Sequence, residues 1–184
     1  RSSIAKRCIE LAQSDWDAYE RSWNFARLPL LLPQYQRDTI EESYKSVRWH
    51  WHEMTCEMHK LEVENNQLFN KAYGLEDEIS SDVPMQEITL TCNPAYRYPD
   101  TRSSQRTVEE KEKLLLEDTM KEYVSYFVGC LLGRYSLDTP GLVLANQGDT
   151  IQTYLNKIPS PSFMPDENNV VPILDDIWFH DDIV

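Results

Sequence analysis

The sequence predicts a mainly α-helical protein: one long, coiled-coil-like helix packed with two or three further helices, joined by short strands and proline-rich loops. Three observations lead there. Stepping by four and three from residue 40, Ile40, Tyr44, Val47, Trp51, Met54, Met58, Leu61, Asn65, Leu68 and Ala72 form an apolar seam with one polar interruption. Tyr73-Gly74-Leu75 then puts glycine where a helix needs a left-handed terminating residue, with Leu75 placed to fold back on the last turn. Further on, Thr107 and Glu110 have the spacing of a capping box that opens a second long helix over 108–132.

The elements follow in order. Ser2 or Ser3 can cap a first helix through about residue 23, with Ile4, Cys8, Leu11, Trp16 and Tyr19 on or near one face. Its end is unusually aromatic, and such rings anchor one element against another because each buries a large area. Pro29 and Pro33 bracket three leucines, which reads as an extended connector docked by its leucines. The seam helix spans about 50 Å if helical throughout, the width of a small domain, which suits a strut. Asn65 within it is expected to set register.

After Gly74, residues 87–92 alternate like a short strand, and residues 93–106 should form a loop. In the helix that follows, the second half is apolar through Leu116, Met120, Tyr123, Val124, Phe127, Val128 and Leu131, and should be buried. Gly129 and Gly133 allow close packing or a clean stop. A short helix over 149–157 and a short strand over 170–174 complete the reading. The expected division is a helical hairpin and spacer over 1–75 and a second helical part over 76–184, the beginning of a recognition side. The whole reads as a fragment of a longer protein.

The formal charge of −13 is unevenly spread. Residues 1–60 carry nine basic and nine acidic groups and residues 101–134 six of each, whereas 61–100 carry two against eight and 135–184 one against eight. Acidic surface repels phosphate, which argues against nucleic-acid binding by counterion release over most of the chain. The arginines Arg97, Arg102 and Arg106, in a loop with Tyr96 and Tyr98, are the candidate contacts to a DNA backbone. Four cysteines without paired spacing fit reduced thiols and a cytoplasmic location, and no apolar run is long enough to cross a membrane.

Two constellations invite chemistry. His52, Cys56 and His59 fall on one side of the long helix, but no fourth ligand is evident, so no metal site is expected. Leu90-Thr91-Cys92-Asn93-Pro94-Ala95-Tyr96 resembles the Asn-Pro-Pro-Tyr loop with which amino-directed DNA methyltransferases hold a flipped base. Ala95 replaces the second proline, and no glycine-rich turn follows a strand to hold a methyl donor. The expectation is a proline-bounded turn, with no catalytic and no cofactor-binding residue in the chain. Paired acids such as Asp175-Asp176 and Asp181-Asp182 read as solvated charges or helix caps.

Four separated stretches resemble one family. They are Asp15-Trp16-Asp17 through Ser22-Trp23-Asn24-Phe25 with Leu28-Pro29-Leu30; Asn65-Asn66 through Phe69, then Tyr73-Gly74-Leu75-Glu76-Asp77-Glu78; Val128-Gly129-Cys130 through Gly133-Arg134-Tyr135-Ser136-Leu137-Asp138; and Phe163-Met164-Pro165-Asp166-Glu167-Asn168-Asn169 with Val171-Pro172-Ile173. The family is PglX, the adenine-specific DNA methyltransferases of BREX phage defence, related to type IIG restriction-modification enzymes. Asn24 departs from it, standing where the family commonly has aspartate. The resemblance implies a parent enzyme that moves a methyl group from S-adenosylmethionine to adenine N6, with its catalytic loop and donor pocket N-terminal to this chain. It makes the present residues a non-catalytic helical spacer or recognition-side segment. The alternative is a docking module for other defence proteins or for an inhibitor that mimics DNA.

Overall fold

The computed structural model describes residues 2–101 and 105–170. Five helices account for most of them: α1 (Ser2–Asp17), α2 (Ile40–Tyr73), α3 (Pro94–Arg97), α4 (Val108–Leu131) and α5 (Ile151–Lys157). The chain is mainly helical, as its patterning predicts. It divides into two compact units, Arg1–Thr119 and Met120–Val184, with α4 contributing residues to each.

In the first unit α2 begins and ends as its sequence dictates. The Thr39 side chain accepts a hydrogen bond from the Glu42 backbone N–H, and Gly74 terminates the helix at φ 68°. The Leu75 N–H reaches the Asn70 carbonyl at 2.9 Å, closing the terminating motif. Of the seam, Val47, Trp51, Met54 and Met58 are buried, while Ile40 and Ala72 at its ends are exposed. The buried asparagine of this helix is Asn70: its Nδ2 donates to the Ile79 carbonyl at 2.7 Å and to Ser81 Oγ at 3.0 Å.

Helix α1 packs against α2 and stops at Asp17, short of residue 23. The aromatic stretch beyond it forms successive turns, with the Ser22 N–H on the Tyr19 carbonyl at 2.9 Å and Ser22 Oγ donating to Asp17 Oδ1 at 2.5 Å. Serine hydroxyls that bond their own neighbourhood compete with helix continuation in this way. Ile4, Leu11 and Tyr19 are buried as expected, but Trp16 is half exposed and Asp15 is buried in its place. The Pro29 region is likewise a 3-10 turn, Pro29–Leu31, instead of an extended connector, and it docks through Leu28 and Leu30.

From Gly74 onward the chain returns along α2 as a strap. Ile79 and Ser81 meet Asn70, the Val83 carbonyl lies 2.9 Å from His59 Nε2, and the Cys92 sulfur approaches the Trp51 carbonyl at 4.0 Å. The predicted strand over 87–92 does not form: a 3-10 turn, Met85–Glu87, and an irregular stretch stand there, and α3 interrupts the loop expected over 93–106. The alternation is nonetheless real, because Ile88, Leu90 and Cys92 are each 0% exposed. They pack in the helical core without a neighbouring strand.

Helix α4 opens with the predicted capping box: the Thr107 N–H donates to Glu110 Oε2 at 2.8 Å and the Glu110 N–H to Thr107 Oγ1 at 3.2 Å. Its buried face is displaced from the predicted one. Leu115, Thr119, Tyr126, Cys130 and Leu131 are buried, whereas Leu116, Val124 and Phe127 are exposed. Thr119 tolerates burial because its hydroxyl donates to the Leu115 carbonyl at 2.7 Å.

The second unit turns sharply after α4. The Arg134 N–H reaches the Gly129 carbonyl at 2.8 Å, and Tyr135 folds back to stack on Tyr126 with ring centroids 4.8 Å apart. Val143, Tyr154 and Ile158 form a small core around α5, whose capping box pairs Thr150 with Thr153. The strand expected over 170–174 lies, apart from Val170, outside the described residues, as do Asp175, Asp176, Asp181 and Asp182.

Candidate functional site

The polar centre of the first unit is where the strap crosses the end of α1. Asp15, 6% exposed, accepts from the Thr91 N–H at 2.6 Å and from the Cys92 N–H at 2.9 Å, one bond to each carboxylate oxygen. Two backbone donors that a sheet would have paired are thus held by one buried side chain. Charge-assisted bonds of this kind are the stronger class. Arg21 fastens the same place from outside: its Nη2 donates to Thr91 Oγ1 at 2.7 Å while its guanidinium lies 4.7 Å from the Trp16 ring centroid. Burial and the neighbouring Asp15 carboxylate push the Cys92 thiol well above the ordinary thiol range.

Immediately beyond sits the loop that resembles a methyltransferase motif. Asn93 is 2% exposed, and both the nitrogen and the oxygen of its amide bond to backbone. Its Nδ2 donates to the Met85 carbonyl at 2.8 Å and the Ile88 carbonyl at 2.9 Å, and its Oδ1 accepts from the Ala95 N–H at 3.1 Å, capping α3. Both amide N–H donors are spent on backbone carbonyls and the residue is buried, so its oxygen is not presented at the surface to an exocyclic amine. Tyr96 is partly exposed at the surface.

The two described candidate arginines, Arg97 and Arg106, bond to different partners. Arg97 is held internally, its Nη2 3.3 Å from Asp118 Oδ2 and its guanidinium 5.5 Å from the Tyr19 ring centroid; Tyr98 OH donates to the same carboxylate oxygen at 2.7 Å. The Arg106 backbone N–H bonds Asp100 Oδ1 at 3.1 Å. Arg102 lies outside the described residues. Of the three histidine and cysteine side chains aligned in sequence, His52 Nε2 lies 3.6 Å from Cys56 Sγ, and His59 faces the Val83 carbonyl. No metal-binding group is assembled among the described residues.

A feature the sequence reading missed is an open groove of about 310 Å³ lined by Tyr44, Lys45, Arg48, Trp49, His52 and Glu112. Arg48 grips Glu112 with two bonds, 2.7 Å and 2.5 Å, across the α2–α4 gap. Burial, reinforced by the Glu112 charge, pushes the Tyr44 phenol up to about 12. An unfolded tyrosine ionises near 10, so Tyr44 stabilises the fold fully below pH 10 and loses that contribution as the pH rises towards 12. Tyr44→Phe is therefore expected to flatten the alkaline limb of the stability profile. It should also remove one late-titrating phenol from the ultraviolet titration, and an unchanged late phase would count against the assignment.

Relatives place this geometry. Over 181 residues the chain is 30% identical to the adenine-specific methyltransferase BrxX of Escherichia coli O9:H4 (strain HS), a match that takes in 98% of the chain and 14% of that protein. It is similar to one segment of such proteins. Over 182 residues it is 26% identical to the adenine-specific methyltransferase PglX of Lacticaseibacillus casei (strain Zhang), covering 97% of the chain and 13% of the relative. No family profile matches the chain. The resemblance to the PglX methyltransferases read from the sequence is borne out, and the structure gives its motifs physical roles. Asp15 clamps the strap, Gly74 ends α2, and Gly129 and Tyr135 form the tight turn after α4.

Gly129 and Gly133 are packed closely by side chains of their own chain. A Cβ at Gly129 would lie 2.5 Å from Tyr135 Cδ2, and one at Gly133 2.8 Å from Leu144 Cδ1, so both spaces are already filled by side chains. No helix among the described residues is long and apolar enough to cross a membrane.

Proposed function

We propose that these residues form a non-catalytic spacer or recognition-side segment of a longer adenine-specific DNA methyltransferase that uses S-adenosylmethionine and acts in phage defence. The helical hairpin and spacer would occupy 1–75, with the recognition side beginning in 76–184. The observation that carries the reading is the engagement of Asn93. The chain's one loop of methyltransferase appearance has its amide bonded to backbone on both sides, which suits a structural turn and not a base-binding one. Methyl transfer would then belong to residues of the parent outside this chain, in keeping with the small share of each relative that the chain spans.

The test is methylation of adenine in duplex DNA by the longer polypeptide carrying Tyr96→Ala. Turnover should match that of the unaltered enzyme, because the ring lies at the surface beside a structural cap. A large loss of kcat with S-adenosylmethionine binding intact would overturn the reading.

DNA contact through the arginine loop is a finer part of the same proposal. Arg106 is the candidate among the described arginines for a screened, sequence-independent phosphate contact. Arg106→Ala in the longer polypeptide should weaken duplex binding modestly at low salt and reduce its salt dependence by about one phosphate contact. Arg97→Ala should instead destabilise the first unit, since it leaves Asp118 with one partner fewer in a partly buried site. Thermal unfolding and DNA titration of the two variants separate these effects.

A further inference from the structure

Ser22, Trp23, Asn24 and Phe25 form a turn fixed by two buried side chains and by backbone hydrogen bonds. Phe25 and Ser22 are buried, the Ser22 hydroxyl is fixed to Asp17, and the Asn24 N–H donates to Ser22 Oγ at 3.1 Å. Trp23 stands fully exposed on this braced turn. An exposed indole on a stiff support loses little entropy on docking and buries a large apolar area, which is why tryptophan is enriched among the residues that dominate interfaces. The partner is narrowed by charge and by length. Residues 15–27 carry Asp15, Asp17 and Glu20 against Arg21 and Arg27; Arg21 is committed to Thr91 and the Trp16 ring, and Arg97, beside Tyr19, is paired with Asp118, so these residues form no cationic track for phosphate. The relatives extend far beyond the matched segment, which is 14% and 13% of their lengths, so most of such a polypeptide lies outside these residues.

We infer that Trp23 is an anchor by which this segment docks onto another part of the same longer polypeptide. It would enter an apolar pocket with a carbonyl or carboxylate placed to accept the indole N–H. The inference rests on the reading of the chain as one segment of a longer methyltransferase.

Hydroxyl-radical footprinting of the intact longer polypeptide tests it, with the oxidation rate of Trp23 normalised to that of the unfolded chain. A rate several-fold below the unfolded value, unchanged on dilution and without DNA, is the expected result. A rate close to the unfolded value overturns the inference. So does protection that disappears on dilution, which would assign the contact to a second copy, or protection that appears only with duplex DNA, which would assign it to base stacking. Methyl transfer measured on the same preparation separates the two readings. An inactive polypeptide with Trp23 protected removes the proposed function and leaves the anchor, whereas an active one with Trp23 freely oxidised does the reverse.

Discussion

Asp15→Ala is expected to destabilise the first unit by about 3 kcal/mol, because it strands two backbone donors at once. The Thr91 and Cys92 N–H groups both point at the carboxylate, and the Cys92 bond is buried. Neither donor has a strand beside it to fall back on. Asp15→Asn retains one acceptor oxygen and should lose about half as much, since an amide can satisfy one of the two donors and presents an NH₂ to the other. Urea unfolding of the two variants measures both, with the midpoint shifting and the slope unchanged. A loss under about 1 kcal/mol for alanine would mean that the strap is held by Ile88 and Leu90 burial alone. The consequence reaches beyond stability: Arg21 and Asn93 are attached to the same strap, so freeing it would loosen the turn that presents Trp23.

The clamp also explains where sequence reading succeeded and where it could not. The long helix was legible because its start, its seam and its end are each local: Thr39, the apolar positions and Gly74 act within a turn or two. The capping box of α4 was legible for the same reason. The strap was half legible. Its period-two burial was visible, but alternation alone does not say what receives the backbone donors, and the acceptor lies 76 residues earlier in the chain. Asp15 lies among aromatics, and carboxylates are seldom buried unless paired. The buried face of α4 was misplaced because the second half of that helix is apolar on several sides, so periodicity offers no preferred direction. There, polar contacts decided: Thr119 and Tyr126 are inside because Leu115 and Ser136 carbonyls receive their hydroxyls. The aromatic-rich loop containing Arg97 suggested a surface contact, yet Asp118 and Tyr19 draw that guanidinium inward, a pairing no local pattern encodes.

Gly129→Ala is expected to damage the second unit severely through a single added methyl group. The added Cβ would stand 2.5 Å from Tyr135 Cδ2 and 2.9 Å from Cε2. Tyr135 is 2% exposed and stacked on Tyr126, so its ring cannot retreat without unpacking its neighbour. Overpacking of this kind typically costs 1–3 kcal/mol, and the confinement of the ring puts this case at about 3 kcal/mol. The backbone at Gly129 is ordinary helix, so alanine itself would otherwise be favoured there. Gly74→Ala supplies the contrast. That glycine has φ 68° with nothing within 4 Å of an added Cβ, so its penalty is conformational alone, about 1 kcal/mol. Thermal unfolding should rank Gly129→Ala well below Gly74→Ala in stability. Combining Gly129→Ala with Tyr135→Ala should cost less than the sum of the two single changes, because the smaller side chain removes the collision. Strict additivity in that cycle would show that the turn after α4 is held by something other than the fit of the Tyr135 ring against Gly129.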